Sequence, residues 1–166
     1  MATMSRTPTR VSRNGAAAST GRATRVARLP EPTQIIASHE LLGRAESRLR
    51  ESDVVTDSAE AFSALYQSAL RAAGAVLAVS EHPTRRRGSR SAWARLPQAM
   101  PDLSGWATYF AGLSRLRADT EAGIRSVTDE QIAQLRPKVD EFLHVVEMEI
   151  LRIERGKPSN MPAGAA

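Results

Sequence analysis

The chain has 166 residues, no cysteine, a hydrophobic fraction of 42%, an aromatic fraction of only 4% and a formal net charge of +5. That length suits one domain, and the missing cysteine excludes disulfides, thiolate-bound zinc and thiol catalysis while fitting a reducing cytoplasm. The charge is unevenly placed: Arg6, Arg10, Arg13, Arg22, Arg25 and Arg28 lie in residues 1–30 with no acidic residue, which leaves 17 basic against 18 acidic residues beyond them. A basic face spread over the whole folded part is therefore not expected, although a local patch stays open.

Residues 1–32 are rich in Ser, Thr, Arg, Ala and Gly, with Pro8, Pro30 and Pro32. They hold too little apolar surface to offset the entropy of ordering, so a disordered arm is predicted there. A solvated tail, an arm that contacts RNA or membrane, and an organelle-targeting presequence all remain open for it. No apolar run approaching the roughly 20 residues of a membrane span is expected.

The folded domain is predicted over residues 33–156, with a second disordered tail at 157–166. A first helix runs from Thr33 to about Glu51, with Ile35, Ile36, His39, Leu42, Ala45 and Leu49 on its apolar side. Asp53 to Asp57 form a turn, and Asp57 or Ser58 caps a second helix reaching about residue 80. Phe62, Leu65, Ala69, Leu70, Ala73, Val76 and Leu77 give that helix a wide stripe, as befits the most buried element. An arginine-rich link follows, and Ser91 caps a short helix that should stop near Pro97. A long helix from about Asp102 to Ala122 turns Leu103, Trp106, Tyr109, Phe110, Leu113 and Leu116 inward. Thr128 and Gln131 form a capping box, and Pro137 should kink or break the helix that follows. Val139, Phe142, Leu143, Val146, Ile150 and Ile153 carry its apolar face up to Gly156. Without any convincing alternating run, the fold class is all-α: an antiparallel up-down bundle of four long helices plus one short helix.

Chemistry-bearing residues are sparse. His39, His82 and His144 fall in no metal-ligand spacing, and Glu141 with His144 makes only half of the motif found in di-iron bundles. No glycine-rich phosphate loop or serine elbow is present, so neither a metal nor another cofactor is expected. Arg85, Arg86, Arg87 and Arg90 form the densest charge cluster outside the arm, and a guanidinium fork suits phosphate. Trp93, three residues on, either stacks a base of a single strand or belongs to the core. Trp106, Tyr109 and Phe110 share a side of one helix and read as core; any part left exposed would suit a dimer interface.

Four segments also resemble one family when taken in order: Ser68 to Leu77, the arginine link leading to Ser91-Ala-Trp93, Trp106 to Phe110, and Val139 to Leu143 followed by Val146-Glu147. Over about Ile35 to Ile153 the chain is similar to HEPN (higher eukaryotes and prokaryotes nucleotide-binding) domains, in particular a small branch of high-GC actinobacteria. The resemblance implies a four- to five-helix bundle that often dimerises. Many members of the wider family it resembles are metal-independent endoribonucleases, whose active site is an Arg, four to six intervening residues and a His, paired across a dimer. Here Arg136 and His144 have seven residues between them, and Pro137 stands where a polar residue is usual. The expectation is a cytoplasmic, non-catalytic homodimer contacting RNA or a protein. An endoribonuclease with a divergent Arg136/His144 site is the alternative, and a pure protein scaffold a third.

Overall fold

The computed structural model describes residues 29–81 and 91–156. Among them are five α-helices and no strand: α1 (Pro32–Glu51), α2 (Ser58–Ser80), α3 (Ala92–Ala99), α4 (Ser104–Glu121) and α5 (Asp129–Glu154). A 3-10 turn, Pro101–Leu103, leads into α4. Residues 1–28 of the predicted arm, the tail at 157–166 and residues 82–90 of the arginine link lie outside the described residues, whereas residues 29–32 are described and Pro32 opens α1.

Local chemistry explains most helix ends. Asp57 accepts a hydrogen bond from the Glu60 backbone N–H at 2.9 Å, so Asp57 is the cap of α2. Thr128 and Gln131 form the predicted reciprocal box at the start of α5. Gln34 works at two helix ends: its Oε1 accepts from the Glu31 N–H at 2.9 Å, and its Nε2 donates to the Ala78 carbonyl at 3.0 Å. One amide thus links the Glu31 N–H at the start of α1 to a carbonyl in the last turn of α2.

Cross-helix contacts fix the directions. Gln34 meets Ala78 while Ser68 donates to the Ala45 carbonyl at 2.7 Å, so α1 and α2 are antiparallel. His39 meets Glu154 and Asp53 meets Arg136, which makes α1 antiparallel to α5 as well. Ser58 and Asp129, at the N-termini of α2 and α5, also bond, so those two helices run parallel. They form the centre; α1 covers one side, α3 and α4 the other. Alanine makes this possible: Ala45, Ala69, Ala72, Ala73 and Ala75 are fully buried, and their small side chains allow close helix approach. The α4 side is filled instead by rings. Trp93 stacks on Phe110 at 5.1 Å, and Phe110 and Trp106 reach Phe142 of α5 at 5.1 and 5.3 Å.

Several expectations need correction. By length and composition α2 is apolar enough to cross a membrane, yet 67% of its most apolar stretch is buried in the bundle, which is how a central helix acquires such a composition. On α1 the inward position is Ser38, fully buried; Ile36 is exposed and His39 lies at the surface. The short helix does stop near Pro97, as expected: the ring sits in the last turn of α3, which ends at Ala99 with the Met100 N–H bonded to the Leu96 carbonyl at 2.8 Å. Pro137 does not break α5. It removes one donor, and Leu135, Val139 and Phe142 are buried on either side of it within one continuous helix. The start of the fourth element is 3-10 rather than α, and Tyr109 points outward at 41% exposure, while Trp106, Leu113 and Leu116 are only partly buried.

Candidate functional site

Arg136 and His144 are the pair on which a nuclease reading depends. Both lie on α5, eight residues apart, so an α-helix separates their Cα atoms by about 12 Å along its axis and about 80° around it. Arg136 turns toward the α1–α2 connection, where Asp53 accepts hydrogen bonds from its Nε and Nη2; the Nη2 to Oδ2 bond is 2.6 Å. The hydrogen bonds from Arg136 hold the Asp53 carboxyl below the usual carboxylate range, and Asp53 raises the Arg136 guanidinium in return. His144 faces solvent at 72% exposure, and its nearest carboxylate is Glu147, 3.9 Å away on the same helix. General acid–base cleavage needs both groups on one phosphate and its 2′-OH. The structure does not bring them together.

The other sequence candidates divide in two. Arg85, Arg86, Arg87 and Arg90 lie outside the described residues, as does His82. Trp93 is 5% exposed, donates its indole N–H to the Tyr66 hydroxyl at 2.8 Å and has its ring against Phe110. It belongs to the core, the second of its two readings, with no face left for a base. His39 bonds Glu154 at 2.6 Å, tying α1 to the end of α5. Among the described residues no three His, Asp or Glu side chains gather as a metal site would require.

The position of the arginine-rich segments is nonetheless readable from their described neighbours. Leu29 packs 3.3 Å from where a Cβ on Gly156 would sit. Gln34 reaches the Glu81 carbonyl at 3.4 Å, Glu81 is paired with Arg95, and the Arg95 N–H bonds the Ser91 carbonyl at 3.2 Å. Residues 29, 81, 91 and 156 thus lie at one end of the bundle, and segments 1–28, 82–90 and 157–166 all attach there. All 18 acidic residues belong to the described part, against 12 of the 23 basic ones, so that part carries a formal charge of −6. The three attached segments hold the remaining 11 cations and no acid.

Sequence reading missed two features. Asp53 was not paired with Arg136, because 83 residues separate them and nothing local signals the contact. The outward face of α4 was hidden by apolar residues on both sides of that helix. A family model described as SAV_6107-like HEPN matches residues 52–147, from the α1–α2 turn into α5. No curated protein and no solved structure matches the chain.

Proposed function

The chain belongs to the SAV_6107-like HEPN family, and from that premise we propose that it is a non-catalytic HEPN module that mediates RNA or protein contact as a homodimer. The observation that carries this reading is the engagement of Arg136 by Asp53, with His144 alone on a different face. An arginine whose Nε and Nη2 are both bonded to a carboxylate on another element serves as a helix tie. Contact with an anionic partner is assigned to Arg85, Arg86, Arg87 and Arg90, supported by the attachment of every arginine-rich segment at one end of an otherwise acidic body. RNA, a polyanion, is the partner such a distribution suits.

The test is incubation of purified full-length protein with labelled single-stranded RNA, with and without EDTA, alongside the His144→Ala variant. No cleavage by either protein, with retarded RNA, is expected. Cleavage by the wild type that disappears in His144→Ala would replace this reading with the divergent endoribonuclease. A stoichiometric protein partner co-purifying without RNA would favour the scaffold.

A further inference from the structure

Helices α1 and α5 lie side by side, and their outer seam carries a row of carboxylates. On α5, Arg136 meets Asp53 just past α1 and Glu154 meets His39 on α1. Glu154 follows Arg136 by about five full turns, so the two mark one line along that helix. Asp140 and Glu147 stand about 40° and 20° from the line, and both are exposed. On α1, the exposed Glu46 follows His39 by two turns and keeps to the same side within about 20°. The helices are antiparallel, so Glu46 comes level with Glu147: each lies about 10.5 Å along its helix from the His39–Glu154 contact. Gly43 leaves the seam open between them, since a Cβ there would meet nothing within 4 Å.

The row is short of cations. Glu154 has only His39, and Glu147 has only His144, 3.9 Å away on its own helix. Among the described residues Glu46 and Asp140 join no ion pair; Arg136 feels Asp140 but is bonded to Asp53, and Arg50 gives its Nη2 to Ser47. Such a seam repels a polyanion and attracts a cationic chain. One is attached at its head. Residues 1–28 hold six arginines and no acid, and they join the body at Leu29. Leu29 packs 3.3 Å from a Cβ built on Gly156, two residues past Glu154, so the arm leaves the body over the end of α5. Arg22, Arg25 and Arg28 recur every third residue, about 10 Å apart in an extended chain. Asp140, Glu147 and Glu154 recur every seventh residue, about 10.5 Å apart on a helix. The two spacings match. Exposed pairs are individually weak, but a short tether keeps the arm at an effective concentration of about millimolar beside the seam.

We propose that the acidic seam between α1 and α5 is an intramolecular docking site for the arginine-rich arm, with Arg28, Arg25 and Arg22 laid along Glu154, Glu147 and Asp140. Glu46 faces the middle pair from α1. With three arginines engaged in this way, the arm is withheld from an anionic partner. The site stands whether the partner of the module is RNA or a protein.

The chain has no cysteine, so Ala23→Cys provides a single attachment point for a nitroxide between Arg22 and Arg25. Paramagnetic broadening of backbone amide signals in the full-length, isotope-labelled protein at low salt tests the proposal, with the reduced label as reference. The amides around Gly43, Glu46, Asp140 and Glu147 should lose at least half their intensity, and those of α4 should keep theirs. The same measurement on Glu46→Gln/Asp140→Asn/Glu147→Gln should restore the lost intensity. All three side chains are exposed, so the helical circular dichroism of this variant should match the wild type. Broadening that is absent, or centred on another face, would overturn the docking site. Broadening in the seam that survives the three neutral replacements would overturn the pairing of arginines with carboxylates.

Discussion

Asp53 and Arg136 lie 83 positions apart in the chain, yet each is the principal cause of the other's shifted acidity. Because the Asp53 carboxyl is depressed in the folded protein, the unfolded chain binds its proton first as pH falls. The pair therefore contributes stability above the unfolded carboxylate value near 3.9, and that contribution is lost as pH drops through the lower folded value. Both side chains are 40% exposed, so screening limits the contribution to about 0.2–1 kcal/mol. Asp53→Asn should accordingly destabilise the protein by no more than that at pH 7 in urea titrations. The difference from the wild type should vanish below the folded value; a constant offset at every pH would remove the ion pair from the explanation. Glu149 is a contrasting case. It is 4% exposed, and its Oε2 is paired with the Arg152 guanidinium one turn on, which supplies its compensating charge. Arg152→Ala would leave a buried carboxylate alone, a change that typically costs about 3–5 kcal/mol. The same titration at pH 7 should place Arg152→Ala well below Asp53→Asn in stability. Equal losses would mean that water reaches Glu149.

At the scale of elements, what was legible was whatever depends on neighbours in sequence. The stripe of α2 from Phe62 to Leu77 and the Thr128–Gln131 box belong to this class, and both elements have the expected starts. Illegible features arise from contacts between helices. Ser38 is buried because α1 faces the centre at positions 38, 42, 45 and 49, and a serine there carries no apolar signal. Tyr109 is exposed because α4 has rings on adjoining faces, and only packing decides which of them α3 and α5 cover. Of the candidate site, the types of residue were readable but their engagement was not: Arg136 is held by a turn before α2, and Trp93 is sealed by Tyr66 and Phe110. Pro137 shows the limit of local rules most directly. It lies inside α5 where the ring removes one hydrogen bond, with buried residues on both sides of it within one continuous helix. An interior proline is about 3 kcal/mol less favourable than alanine in a helix. Since Pro137 is exposed, Pro137→Ala should stabilise the protein by about 1–3 kcal/mol, read as a higher denaturant midpoint with unchanged helicity. A loss of stability instead would mean that the proline shapes α5 for its packing on α2.

For the whole molecule, charge is the property that organises function. A body of formal charge −6 repels a polyanion, while the segments bearing the other 11 cations are attached at the end where residues 29, 81, 91 and 156 lie. RNA held there should touch the attached segments and little else, so its affinity should depend steeply on salt. Each phosphate neutralised on a single strand contributes about 0.7 to the slope of log affinity against log salt. Replacing Arg85, Arg86, Arg87 and Arg90 with glutamine would then weaken binding and flatten that slope by about 3, provided all four meet phosphate. Fluorescence anisotropy with a labelled RNA across a salt series measures both quantities. A slope left unchanged by the four replacements would shift the contact to the six arginines of residues 1–28, and deletion of that segment should then abolish the salt dependence. If neither change alters the slope, the arginines are not the anion contact, and the partner of this module is a protein.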